Sequence, residues 1–134
     1  QTAARPTVRN FNGVLAALAN SSPLGAADAA IRAEQLIQQT EEEFDEGNVS
    51  SNFLPDTMSY NIAINCWARS GHPLAAENAE KILNRMERKY QSFKPTDETF
   101  SRVRPDAVSF NTAIAAWSRT AKSGSAQAAE KKKG

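Results

Sequence analysis

Apolar residues recur along this chain at helical spacing. Tyr60, Ile64 and Trp67 stand at i, i+4 and i+7, Phe110, Ile114 and Trp117 repeat the interval, and Phe11, Leu15 and Leu18 give a third copy. That spacing puts each trio on one stripe of a helix, whereas a half-buried strand would alternate with period two. A second stripe follows in the first two copies: Ala33, Leu36, Ile37, Thr40 and Phe44, matched by Ala79, Ile82, Leu83, Met86 and Tyr90. Between the paired helices lie "SSPLG", "SGHP" and "KSGS", built from the residues that end helices. The pattern predicts helical hairpins.

A hairpin with one apolar stripe per helix buries it only by stacking on neighbours, so the expected class is all-α, an α-solenoid of antiparallel hairpins. Pro6, Pro55 and Pro105 open the copies at intervals of 49 and 50 residues. One helical-repeat domain, 1–134, then divides into repeats at 5–54, 55–104 and 105–134, the third ending inside its second helix. Three copies are near the fewest that hold together. The connections at 47–54, "GNVSSNFL", and 91–104, "QSFKPTDETFSRVR", are polar and turn-rich. "KPTDETF" imitates a repeat opening, but no helical stripe follows it, so it reads as loop.

Composition narrows the function only slightly. The chain has 134 residues, 40% of them apolar, and 16 basic against 15 acidic side chains give a net charge of +1. Bulk charge therefore neither favours nor disfavours a polyanionic partner. Cys66 is the single cysteine, which rules out an intrachain disulfide and a cysteine-based zinc site. No apolar run is long enough to span a membrane. The opening at Gln1 and the close at "EKKKG" read as a piece of a longer chain, with any targeting segment outside it. No phosphate-binding glycine loop, metal-ligand set or nucleophile with its base is visible, so no enzyme, cofactor or metal is expected. The acidic run "EEEFDE", 41–46, reads as a solvated helix end. Trp67 and Trp117 complete the apolar stripes and are expected in the core, Cys66 is a small packing residue, and His72 belongs to a turn.

The stretch "PDTMSYNIAINCWARSG" at 55–71 returns as "PDAVSFNTAIAAWSRTA" at 105–121, and "RPTVRNFNGVLAALANSS" at 5–22 is a weaker copy. Its repeated polar residues need a separate account. Asp56 and Asp106, each between Pro and a helix, are expected N-caps. Asn12, Asn61 and Asn111 stand inside a first turn, where asparagine is a poor helix former because its amide competes for backbone hydrogen bonds. They lie about 100° round the helix from the aromatic stripe, where an amide offers both a donor and an acceptor. Arg69 and Arg119 near the helix ends also suit the helix dipole.

The combination "PDTMSYNIAINCWARSG…AAENAEKILNRM" resembles the pentatricopeptide repeat family, whose units open with a Pro-Asp step, a Tyr-Asn pair and a basic residue before Gly. The likeness spans nearly the whole chain, with Thr7 in place of the Asp in the first copy. The family's unit is about 35 residues, as in related helical-hairpin repeats, and here it is longer, the surplus lying in the second helix and the loop after it. The resemblance implies a right-handed superhelix that binds single-stranded RNA, one base per repeat read by two or three side chains. It pairs Asn12 with Asp56 and Asn61 with Asp106 as base readers, uracil first and cytosine second, with Asn111 a third reader. It places Arg9, Met58 and Val108 on either side of the bases, and Arg69 and Arg119 on phosphates. It also implies RNA processing, stability or translation in a mitochondrion or chloroplast.

Two other readings stand beside this one. A tetratricopeptide-like protein scaffold would share the stripes but has no need of asparagine in every first turn, and the long inter-repeat loops offer a surface for protein partners. The third reading, after the scaffold, makes the repeats the binding region of a larger RNA-processing enzyme. If the second helix simply ran on by six residues, the chain would be displaced by roughly 9 Å. An eight-residue loop spans up to about 26 Å and can return Asp56 to Asn12.

Overall fold

A computed structural model describes residues 8–20, 26–48, 54–97 and 101–119, all helix and turn. Among the described residues five long helices run: α1 (Val8–Asn20), α2 (Ala26–Asp45), α3 (Thr57–Arg69), α4 (Ala75–Ser92) and α5 (residues 107–119). Their order matches the predicted hairpins, α1 with α2 and α3 with α4. α3 is central and touches α1, α2 and α4. No helix among the described residues is long and apolar enough to cross a membrane.

Local sequence sets the ends of α3. Asp56, with φ −111° and ψ −176°, caps it: its carboxylate accepts the Ser59 N–H, and the Ser59 hydroxyl accepts the Asp56 N–H, closing a capping box. Arg69 stands in the last turn, and Gly71 at φ +70° takes the left-handed conformation that ends the run. α4 starts differently. Leu74 offers no side-chain cap; instead His72 Nδ1 accepts the Leu74 N–H at 3.0 Å and the His72 carbonyl accepts the Ala75 N–H.

The core follows the predicted stripes. Tyr60, Ile64 and Trp67 of α3 are buried together with Leu15 of α1, Ala33 and Ile37 of α2, and Ala79, Ile82, Leu83 and Met86 of α4. Leu36 and Tyr90 pack at its edge. Cys66 is buried as a packing residue. Alanine at 30, 33, 76 and 79, all buried, lets the helices approach closely and costs no side-chain entropy.

Two expectations about helix faces are corrected. Glu41 is not part of a solvated end: it is buried, accepts the Tyr60 hydroxyl at 2.9 Å on one oxygen and pairs with Arg85 at 3.1 Å on the other. A buried phenol needs an acceptor, and Glu41, one turn beyond Ile37, supplies it. Trp117 is not buried. Phe110, Ile114 and Trp117 are 41%, 62% and 40% exposed, because no described helix stands to α5 as α4 stands to α3. α5 buries Ser109, Ala113 and Ala116 instead.

The surplus length of the second helices is used between them. Asp45 and Lys89 lie 3.7 Å apart, one turn beyond the Glu41/Arg85 pair on both α2 and α4. Phe44 meets Phe93 edge-on at 6.5 Å, and Lys89 lies 5.8 Å from the Phe44 ring centre. The chain then comes back. Leu54 and Pro55 are buried before α3, and Val103 is buried before α5. The Thr57 hydroxyl lies 3.0 and 2.7 Å from the carbonyl oxygens of Arg102 and Arg104, holding the end of the second connection at the start of α3. That connection, expected as loop from 91 to 104, is helical at 91 and 92, the end of α4, and again at 101 and 102.

Candidate functional site

The repeated Asp, Ser and Asn form the same hydrogen-bonded cluster twice. Asn12 on α1 donates its amide to Asp56 Oδ1 at 3.0 Å, and Asn61 on α3 donates to Asp106 Oδ1 at 3.0 Å. Ser59 donates its hydroxyl to the Asn12 carbonyl oxygen, and Ser109 donates to that of Asn61. Asp106 and Ser109 share the same reciprocal cap as Asp56 and Ser59. Each N-cap is thereby tied to the first helix of the preceding copy. The paired residues come together despite the 49- and 50-residue spacing.

This geometry gives the asparagines a packing role that their helix propensity does not. Each amide joins two hairpins, so their recurrence in register no longer separates a nucleic-acid binder from a protein scaffold. Ser59 and Ser109 were visible as repeated letters. Their signal was the Asp-x-x-Ser spacing ahead of an apolar stripe, a capping box with its two residue types exchanged.

The two junctions differ in access to water. Asn12 is 7% exposed, whereas Asn61 is half-buried and Asp106 is exposed. Desolvation works to raise the Asp106 carboxyl, but hydrogen bonds from the Ser109 N–H, the Asn61 amide, the Ser109 hydroxyl and the Val108 backbone outweigh it, and the group is held below the usual 3.8. It is a carboxylate at neutral pH. Its Oδ1 takes the bonds from Asn61 and Ser109, the Val108 backbone adds another to the carboxylate, and the second Asn61 N–H is a donor outside the latch.

Around this second junction, α3 and α5 enclose an open groove of about 700 Å³. Asn61 and Asp106 line it together with Met58 from α3 and Val108 from α5; Thr57, Ile62, Asn65 and Thr112 complete the wall. Met58 and Val108 are 60% and 56% exposed, an arrangement that helix packing does not require. Four residues singled out from sequence thus share one concavity. Comparison with known proteins finds no family model, no curated protein and no solved structure that matches this chain. The groove's own chemistry, two apolar side chains and one donor–acceptor pair, suits a flat, partly polar ring.

The other sequence-derived positions fall outside the groove. Asn111 is exposed on α5. Arg9 lies on α1, but its side chain is outside the described residues, as are those of Phe11 and Leu18. Arg69 is exposed at the end of α3. Arg119 donates to the Ala68 carbonyl at 2.6 Å, satisfying one of the last carbonyls of α3 from the next copy. A smaller cavity of about 330 Å³ between α2 and α4 mixes Glu34 with Lys81, Arg85 and Arg88, and Arg85 is already committed to Glu41. The Cys66 thiol is pushed up by burial, against a smaller opposing influence of Arg69.

Proposed function

We propose that this chain is an RNA-binding helical repeat of the pentatricopeptide kind, stacking its hairpins as an α-solenoid and taking one base of a single strand at each junction. The observation that carries the reading is the groove at the second junction, where Met58, Asn61, Asp106 and Val108 meet. A base would lie between Met58 and Val108, with its edge on the Asn61/Asp106 donor and acceptor, uracil first and cytosine second. Exposed Met58 and Val108 support this, since a solvated helix start gains nothing from them without a ligand to cover. Arg69 is the phosphate contact in this reading. Arg119, already bonded to Ala68, would do so only with its remaining donors. Asn12 and Arg9 would serve the first junction and Asn111 the third, and RNA metabolism in a mitochondrion or chloroplast follows from the resemblance.

Two or three bases held at about 1–3 kcal/mol each barely offset an association cost of at least about 4 kcal/mol, so this stretch alone should bind weakly. The test is an anisotropy titration of uridine-rich and adenosine-rich oligomers at several salt concentrations, with the wild-type chain, Asn61→Ala and Val108→Glu. Preference for uridine, lost in Asn61→Ala, with weaker binding by Val108→Glu, is expected. Equal affinity for both oligomers, unmoved by either substitution, would leave charge alone as the cause. A protein scaffold is the second reading, favoured by the commitment of Asn12 and Asn61 to bonds between hairpins. No binding even to long RNA would decide for it.

A further inference from the structure

Resting on that reading, we infer that Asn65, with Thr112 opposite it, recognises the ribose 2′-hydroxyl of the nucleotide whose base is read by Asn61 and Asp106. Most polar groups lining the groove are already engaged. Asn61, Asp106 and Thr57 are bonded within the protein. Asn65 and Thr112 are different: both line the groove and are half-buried, and neither side chain bonds to another described residue.

Asn65 has no packing reason to be polar. Its counterparts in the other copies are Ala16 and Ala115, and Thr112 stands where the earlier copies have Gly13 and Ile62. This polar pair therefore belongs to the second junction alone and is not part of the latch that every copy repeats. Helix propensity points the same way, since asparagine inside a helix is disfavoured relative to alanine.

Position along the helix identifies the chemistry. Asn65 lies one turn, about 6 Å, beyond Asn61 toward the end of α3, and Arg69 lies a further turn on. Steps of four residues drift only about 40° round the helix, so the three follow one side in order. A nucleotide with its base edge on Asn61 and its phosphate toward Arg69 puts its sugar between them, beside Asn65. An amide carries a donor and an acceptor, and so does a 2′-hydroxyl, the group by which a protein tells RNA from DNA. The Thr112 hydroxyl adds a second such group from α5.

The experiment compares a uridine oligomer with a 2′-deoxyuridine oligomer of the same length, so that only the hydroxyl differs. Wild-type protein is expected to favour the ribose form about fivefold or more, the size of one or two net hydrogen bonds. Asn65→Ala and Thr112→Val should bring the ratio toward one by weakening the ribose complex while leaving the deoxyribose complex unchanged. Asn61→Ala should alter uridine-against-adenosine preference and keep the ribose ratio. Alanine already occupies the matching positions 16 and 115, and unchanged circular dichroism and melting of Asn65→Ala would confirm intact folding. Equal weakening of both complexes by Asn65→Ala, or a wild-type ratio near one, overturns the assignment while RNA binding stands. Failure of the wild-type chain to bind either oligomer overturns the RNA reading and this inference with it.

Discussion

Asn12→Ala and Asn61→Ala remove the same amide from two copies of one cluster, and should differ in cost because water reaches the two sites unequally. Each substitution deletes a bond to a carboxylate and a bond from a serine hydroxyl. A bond to a charged group contributes about 1.5–3 kcal/mol and a neutral one about 1 kcal/mol. In both cases the serine keeps a fallback, since its Oγ lies 3.0 Å from the capping carboxylate. Replacing asparagine by alanine inside a helix returns about 0.6 kcal/mol. At the buried first junction the sum is a loss of about 2–3 kcal/mol. Around exposed Asp106, water takes the place of the amide, and the loss falls to about 0.5–1 kcal/mol. Urea denaturation followed by circular dichroism measures both. At about 3–6 °C per kcal/mol for a chain of this size, the two variants should also melt several degrees apart. Equal losses, or a larger loss for Asn61→Ala, would refute the claim that solvent access and not bond count sets the strength of each latch.

Other consequences are as specific. Glu41→Ala strands the Tyr60 hydroxyl, in a site where burial first and the Glu41 charge second already push that phenol far above its usual range, and with the loss of the partly exposed Arg85 pair should cost about 2–4 kcal/mol. Tyr60→Phe leaves the Glu41/Arg85 pair intact and should cost only about 1 kcal/mol, so thermal melts must rank the two in that order. The Asp106 carboxyl is depressed in the folded state, so its contribution is fully present above about pH 5 and disappears as pH falls through the folded value, below the usual 3.8. Asp106→Asn should therefore be less stable than wild type at pH 6, and the difference should shrink steadily as pH falls below 3.8, as read from denaturation midpoints. Cys66 is buried with a raised thiol pKa, so native protein should react with a disulfide reagent far more slowly than urea-unfolded protein; equal rates would place the thiol at the surface.

Much of this structure was legible because helical spacing is a local property. The stripes at 60, 64, 67 and at 79, 82, 83, 86 name the buried faces of α3 and α4 directly, since 3.6 residues per turn brings those positions together whatever surrounds them. The Pro-Asp steps likewise announced helix starts, and Asp56 caps α3. Residues 58, 61, 106 and 108, which the family resemblance placed around one base, share one groove.

What sequence left open depends on which helices meet. Glu41 reads as one of several surface acids until α3 brings a phenol and α4 a guanidinium to its two oxygens. The matching trios on α3 and α5 have almost the same letters, yet Trp67 is buried and Trp117 exposed, because burial belongs to the neighbour and not to the residue. The bonds that tie Ser59 to Asn12 and Ser109 to Asn61, across 47 and 48 residues of chain, emerge only once the helices are in place. Sequence by itself determined the helices, their apolar faces and the recurrence of the polar set, all fixed by short-range geometry. Tertiary structure alone decided which of those polar groups are used up in joining helices of successive copies and which are not, because a hydrogen bond closes only when both ends are in place.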